Sequence, residues 1–152
     1  MRRNEKEIVD IEAIEDIIRR SLVCRIAMSY NGIPYIIPLC FGYKDRVLYF
    51  HSARDGKKIN ILKENNNVCF EIEIDQEIIP ANEPCKWGMK YRSVIGFGKA
   101  MIIEDIESKK TSLGLIMNQY SKNSFEYSIE ALNETVIIKV EIDQMTGKMS
   151  GY

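Results

Sequence analysis

Apolar residues change their period several times along this chain, and each change marks an element. Over residues 10–21, isoleucines stand at 11, 14, 17 and 18, the spacing of one helical face, with Asp10 placed as an N-cap. From Leu22 the pattern becomes strand-like. LVCRIAMS and PYIIPLCFGY flank YNGI, whose Asn-Gly pair signals a hairpin, and a second tight turn, YKDR, leads into VLYFHS. These three strands are expected to form an antiparallel meander. Residues 55–64 read as a helix with Ile59 and Leu62 on one face. VCFEIEID then alternates, with Val68, Phe70, Ile72 and Ile74 on one side and Glu71, Glu73 and Asp75 on the other, as a half-buried antiparallel strand does. Residues 76–90 hold Pro80, Pro84 and Gly88 and read as a loop. YRSVIGFGKAMIIE reads as a long strand, followed by a helix with Ile106, Lys110, Leu113, Met117 and Tyr120 on one stripe. TVIIKVEID is the last expected strand, and the polar QMTGKMSGY reads as a tail.

About six strands with three helices at the joins and mostly short connections favour a mainly β protein, a small antiparallel barrel rather than a βαβ sheet. A length of 152 residues predicts one domain over 1–152, with the N-terminal helix within residues 1–20 and the tail at 144–152. A hydrophobic content of 45% is enough for a real core. Twenty-one basic and 22 acidic residues leave a net charge of -1, which gives no electrostatic case for nucleic acid or an anionic membrane surface. Any bound anion must therefore be held by a local cluster. No apolar run approaches the roughly 18 residues of a spanning helix, and the opening MRRNEKEIVDIE turns acidic too soon for a signal peptide. The four cysteines lack a C-x-x-C pair, and with one histidine they cannot make the usual structural zinc set, so no metal is expected. Cys24, Cys40 and Cys69 fall inside apolar runs and are expected to be reduced core residues of a cytoplasmic protein.

The chemistry gathers around FHSARDGKK, residues 50–58. A strand there delivers the only histidine, His51, and a hydroxyl, Ser52, just ahead of Lys57 and Lys58. From position alone His51 is either a sheet-edge residue or a functional imidazole, the side chain that titrates near neutrality. Ser52 and Asp55 make an S-x-x-D capping pattern, while a helix starting beside two lysines suits a phosphate. Gly96 and Gly98 lie inside a strand pattern rather than at a strand-to-helix turn, so they suit close approach of a backbone or a flat ligand, not a nucleotide loop. Pro38 marks a strand edge or bulge. Trp87 is expected to pack in the core or to stack on a ligand. Arg92 and Ser93 place another cation beside a hydroxyl.

PYIIPLCFGY, VLYFHSARDGKK and WGMKYRSVIGFGKA, in that order, resemble the pyridoxamine 5'-phosphate oxidase-like split-barrel flavoproteins, and within them the branch of the 5-nitroimidazole-resistance proteins. The resemblance is strong from about Cys24 to Ala100. It implies a six-stranded antiparallel split β-barrel that binds FMN as a homodimer, with each flavin in a cleft at the interface. By the same resemblance, His51 and Ser52 end the strand beside the flavin, and Lys57 and Lys58 hold its phosphate. Ile36, Ile37, Pro38, Leu39, Cys40 and Phe41 line the isoalloxazine through their backbone, and Arg92, Ser93 and Val94 form a stretch reaching the flavin. Ser52, Lys57, Lys58 and Arg92 are then expected to converge on one phosphate, with Phe41 or Trp87 as stacking surface. The implied activity is an FMN-dependent oxidoreductase acting on a small flat electron acceptor, such as a nitro compound, with His51 as hydrogen-bond or proton donor. The oxidase's own C-terminal substrate segment, with its Trp and Arg, has no counterpart in QMTGKMSGY. A flavin-binding or sensing module without turnover would show the same residues. So would a haem-binding split barrel with His51 as axial ligand.

Overall fold

The computed structural model describes residues 4–152. A 3-10 turn at Asn4–Lys6 leads into β1 (Glu7–Ile8), then α1 (Ile11–Arg20). Asp10 caps α1, its carboxylate accepting from the Glu12 N–H. Ile14, Ile17 and Ile18 form the buried face, while Ile11 stays 45% exposed. β2 (Cys24–Tyr30) and β3 (Ile33–Leu39) make the first hairpin, turning at Asn31 and Gly32 with φ of 50° and 76°. That double left-handed turn is what Asn-Gly favours. β4 (Gly42–Lys44) and β5 (Val47–Ala53) make a second hairpin, whose turn residues Asp45 and Arg46 also take positive φ, 50° and 62°. α2 (Lys57–Glu64), β6 (Asn67–Ile79) and β7 (Gly88–Ile103) follow, then α3 (Ile106–Asn118), α4 (Ile129–Glu134) and β8 (Thr135–Ser150).

All pairings are antiparallel, and the strand order is β3-β2-β6-β7-β8-β5-β4, with β1 added to β8. The six long strands form the split barrel expected from the sequence; two-residue β1 and three-residue β4 raise the count to eight. The two hairpins do not join into one meander. The expected strand PYIIPLCFGY breaks at Cys40–Phe41, and its halves, β3 and β4, end at opposite edges of the sheet. Phe50, Phe70, Ile26, Ile72, Val94 and Val140 fill the interior with the α1 isoleucines. Each such side chain contributes about 1.5–3 kcal/mol on burial.

The strands run longer than their apolar runs. β6 continues through a bulge between Ile74 and Glu77, where Asp75 takes φ of 59°, so only residues 80–87 form a loop, with a 3-10 turn at Pro84–Lys86. Residues 144–150 are not a tail but the second half of β8, paired with β7 and β1. The close approach expected at Gly96 and Gly98 is to the protein itself. A Cβ at Gly96 would stand 2.3 Å from the Phe70 ring, and one at Gly98 would stand 2.2 Å from the Glu141 carbonyl.

The third helix also differs from expectation. α3 buries Lys109, Ser112 and Ile116 rather than the stripe through Lys110. The Lys109 ammonium donates to the carbonyls of Leu132 and Thr135 at the end of α4, which offsets the cost of burying it. A fourth helix, α4, therefore has its end held from inside.

Candidate cofactor site

Along β5 the side chains alternate. Leu48, Phe50 and Ser52 point inward, while His51 and Ala53 are exposed. His51 and Ser52 thus lie on opposite faces of the strand. Ser52 is buried, and its hydroxyl donates to the Ala53 carbonyl at 2.8 Å. The Ser52–Asp55 capping box does not form: the residue ahead of α2 is Gly56, which gives the helix no side-chain hydrogen bond. The other three α-helices are capped, α1 by Asp10, α3 by Asp105 and α4 by Ser128. The first turn of α2 therefore keeps N–H groups without a side-chain acceptor, and it begins with Lys57 and Lys58. Among the described residues neither lysine is paired with a carboxylate. The Lys57 ammonium instead stands 4.5 Å over the centre of the Tyr35 ring, which ties the helix start to β3.

β3 is an edge strand hydrogen-bonded only to β2, so its far side carries backbone groups without strand partners. This is the edge that Pro38 signals. Ile36, Pro38 and Cys40 are exposed and Ile37 and Leu39 half-buried. Cys40 is thus not the core residue expected, although Cys24 is buried and Cys69 half-buried. Phe41 cannot offer a stacking surface. Its ring is wholly buried, and its N–H donates to the Tyr120 hydroxyl at 2.8 Å. Tyr120 in turn donates to the Leu22 carbonyl, and burial pushes its phenol up to about 12. Trp87 is not in the core either. It is 55% exposed, and its indole N–H donates to the Ala81 carbonyl at 2.7 Å.

Arg92, Ser93 and Val94 lie elsewhere. Val94 and Ser93 are buried. Arg92 pairs with Asp75 and stacks on the Tyr152 ring, 4.0 Å from its centre, while the other oxygen of Asp75 takes Arg20 at 2.6 Å. The two guanidinium groups hold the Asp75 carboxyl below the usual carboxylate range, with the Arg20 hydrogen bond the larger cause. His51 pairs with Ile137, which pairs with Ile103, whereas Arg92 pairs with Met149. Roughly 35 Å of β7 therefore separates the two places within one chain. One protomer gathers Lys57 and Lys58 beside β3 but does not bring Arg92 to them.

Two features escaped the sequence. A groove of about 690 Å³ opens between the β2–β3 hairpin and α2, sharing Lys57 and Tyr35 with the helix start. Only a tyrosine in a strand flanked by prolines hinted at it. On the outer face of the barrel, Ile36, Ala27, Cys69 and Phe97 stand in one row across four strands, with Ile36 62% and Phe97 47% exposed.

The antiparallel sheet with its few helices defines the fold class, a split β-barrel. The sequence profile described as pyridoxamine 5'-phosphate oxidase matches residues 10–149, and the chain belongs to that family. A candidate 5-nitroimidazole antibiotic resistance protein from Bacteroides thetaiotaomicron is 38% identical, with a TM-score of 0.85 over 94% of this chain and 86% of that one. This places the chain in the 5-nitroimidazole-resistance-like branch. A flavocytochrome from Azotobacter vinelandii (18% identity, TM-score 0.87, covering 100% of this chain and 72% of that one) shares the fold. So does a FAD and haem binding protein from Mycobacterium smegmatis, at 18% identity and TM-score 0.87 over 97% of this chain and 74% of that one. No curated protein matches the chain.

Proposed function

We propose that the protein is an FMN-dependent oxidoreductase that works as a homodimer and reduces small flat acceptors such as nitro compounds. The observation that carries this reading is the uncapped start of α2, with two lysines lacking carboxylate partners among the described residues, beside a strand edge with free backbone groups. That donor set fits a phosphate dianion held by helix N–H groups and ammonium charge, with a flat ring against the edge. Lys57 and Lys58 would hold the phosphate, and the backbone of Ile36, Ile37, Pro38, Leu39 and Cys40 would line the ring. Bound flavin supplies the electron transfer. His51, exposed one turn before the lysines, would donate a hydrogen bond or proton to the acceptor as charge builds on it. The apolar outer row from Ile36 to Phe97 supports a second copy packed on this face, and Arg92 would act toward the partner's flavin rather than its own.

Titration of the apoprotein with FMN and riboflavin tests the cofactor. Lys57→Ala is expected to weaken FMN roughly 10- to 100-fold, the range of a charge-assisted contact, and riboflavin much less. Equal losses for both ligands would remove Lys57 from the phosphate. His51→Ala is expected to keep FMN but slow stopped-flow oxidation of the reduced protein by a nitro compound about 100-fold. The visible spectrum of the purified protein separates flavin from haem.

A further inference from the structure

The outer face that carries Ile36, Ala27, Cys69 and Phe97 changes charge from one end of its strands to the other. Two residues along in one direction stand Arg25, Glu71 and Ile95, with Glu73 two further on. Arg25 serves both carboxylates, Glu71 at 3.1 Å and Glu73 at 3.5 Å, so this end has one negative charge in excess. Burial, and then the Glu73 charge, hold the Glu71 carboxyl above its usual range in spite of Arg25. Lys148, two strands from Glu73, stacks on the Tyr91 ring. Two residues along in the other direction stand Asn67, Lys99 and Glu141. Glu141 takes Lys139 at 2.8 Å. Lys99 donates to the Asn67 amide oxygen and, among the described residues, has no carboxylate partner. This end has one positive charge in excess.

We infer that the two ends pair across a two-fold axis, Lys99 of each copy meeting the partner's Glu71, so that charge decides which way round the second copy packs. This deepens the dimer proposed above and rests on it. An axis lying along the Cys69–Phe97 row turns the strands of one copy end for end over those of the other. Glu71 lies two residues, about 7 Å, to one side of that row and Lys99 as far to the other, so the rotation brings them level. The offset that remains is one strand spacing, about 4.8 Å, within reach of a lysine stem. An axis along the strands would lay acidic end on acidic end, which costs rather than gains. The apolar row thus supplies attraction and the charged ends supply direction. That direction bears on the cofactor site. His51, and α2 after it, lie beyond Lys99, while Arg92 lies beyond Glu71. Of the two packings, the end-for-end one turns Arg92 of one copy toward the start of α2 in the other.

A charge swap tests this. Fluorescence-detected sedimentation of the labelled full chain reads dimer affinity for the parent, Lys99→Glu, Glu71→Lys and the double variant, with near-UV spectra reporting their folding. Each substitution acts twice in a two-fold dimer. Either single reversal is therefore expected to weaken the dimer about 100-fold, and the double reversal to recover about tenfold or more of that loss. Salt gives a reading that needs no reversed variant. Raising NaCl from about 0.05 to about 0.5 M is expected to weaken the parent dimer about tenfold, and the Lys99→Gln dimer much less. A double variant no tighter than the weaker single, or a parent dimer indifferent to salt, overturns the pairing and leaves the dimer standing. A parent that sediments as a monomer throughout overturns both.

Discussion

Asp75 holds two guanidinium groups from a strained position. Its φ of 59° lies in the left-handed region, and its two oxygens go separately to Arg20 and Arg92. Asn tolerates that backbone as well as Asp does, so Asp75→Asn removes the charge and leaves the bulge. Because the folded carboxyl titrates below its ordinary range, its contribution is complete above the unfolded pKa near 3.9 and is lost as pH falls through the depressed folded value. Urea unfolding is expected to show Asp75→Asn about 1 kcal/mol less stable at neutral pH, since the partners are partly solvated, with the gap closing in acid. A gap that stays constant into acid would assign the loss to something other than charge. At this scale the sequence was readable where local chemistry decides. Lys57 and Lys58 could be placed at a helix start because helix signals are local. The separation of Arg92 from them could not, because it depends on ladder register through β7 and β8. Nor could the burial of Phe41, which follows from the break between β3 and β4.

The link between β3 and β4 crosses the split, and one phenol fixes it. Tyr120 accepts from the Phe41 N–H and donates to the Leu22 carbonyl, joining the end of α3 to both the approach to β2 and the crossing. Tyr120→Phe leaves the Phe41 N–H and the Leu22 carbonyl without that partner. It is expected to cost about 1–3 kcal/mol in denaturant unfolding, and to raise amide exchange around residues 40–42. A fully stable variant with unchanged exchange would mean that water replaces the hydroxyl. Elements showed in the sequence wherever one face is apolar, as in Val68 to Ile74. They were hidden where that contrast fades. In the second half of β8, only Met145 and Gly147 alternate inward among polar neighbours, and the ladder to β7 defines the strand. The α3 stripe was misassigned because a lysine, not an apolar residue, fills its buried face.

For the whole molecule, the outer row of Ile36, Ala27, Cys69 and Phe97 is where the proposed homodimer would close. Phe97→Glu would place a charge in that face, and sedimentation equilibrium is expected to show dimer affinity lowered about 100-fold or more, with near-UV spectra of the monomer unchanged. A parent that sediments as a monomer with flavin bound would overturn the dimer itself. The barrel class was legible because hairpin turns and alternating strands are local. The order of strands was not: two adjacent hairpins look like a meander until distant β6, β7 and β8 come between them. The free edge of β3 carries a last consequence. Pro34 and Pro38 stand on it, and neither has an N–H. Another chain seeking to extend the sheet there would find two of the strand's backbone donors missing. The edge proposed to receive a flat ligand is thereby a poor template for strand addition, and so resists growth of the sheet from one molecule into the next, into filaments.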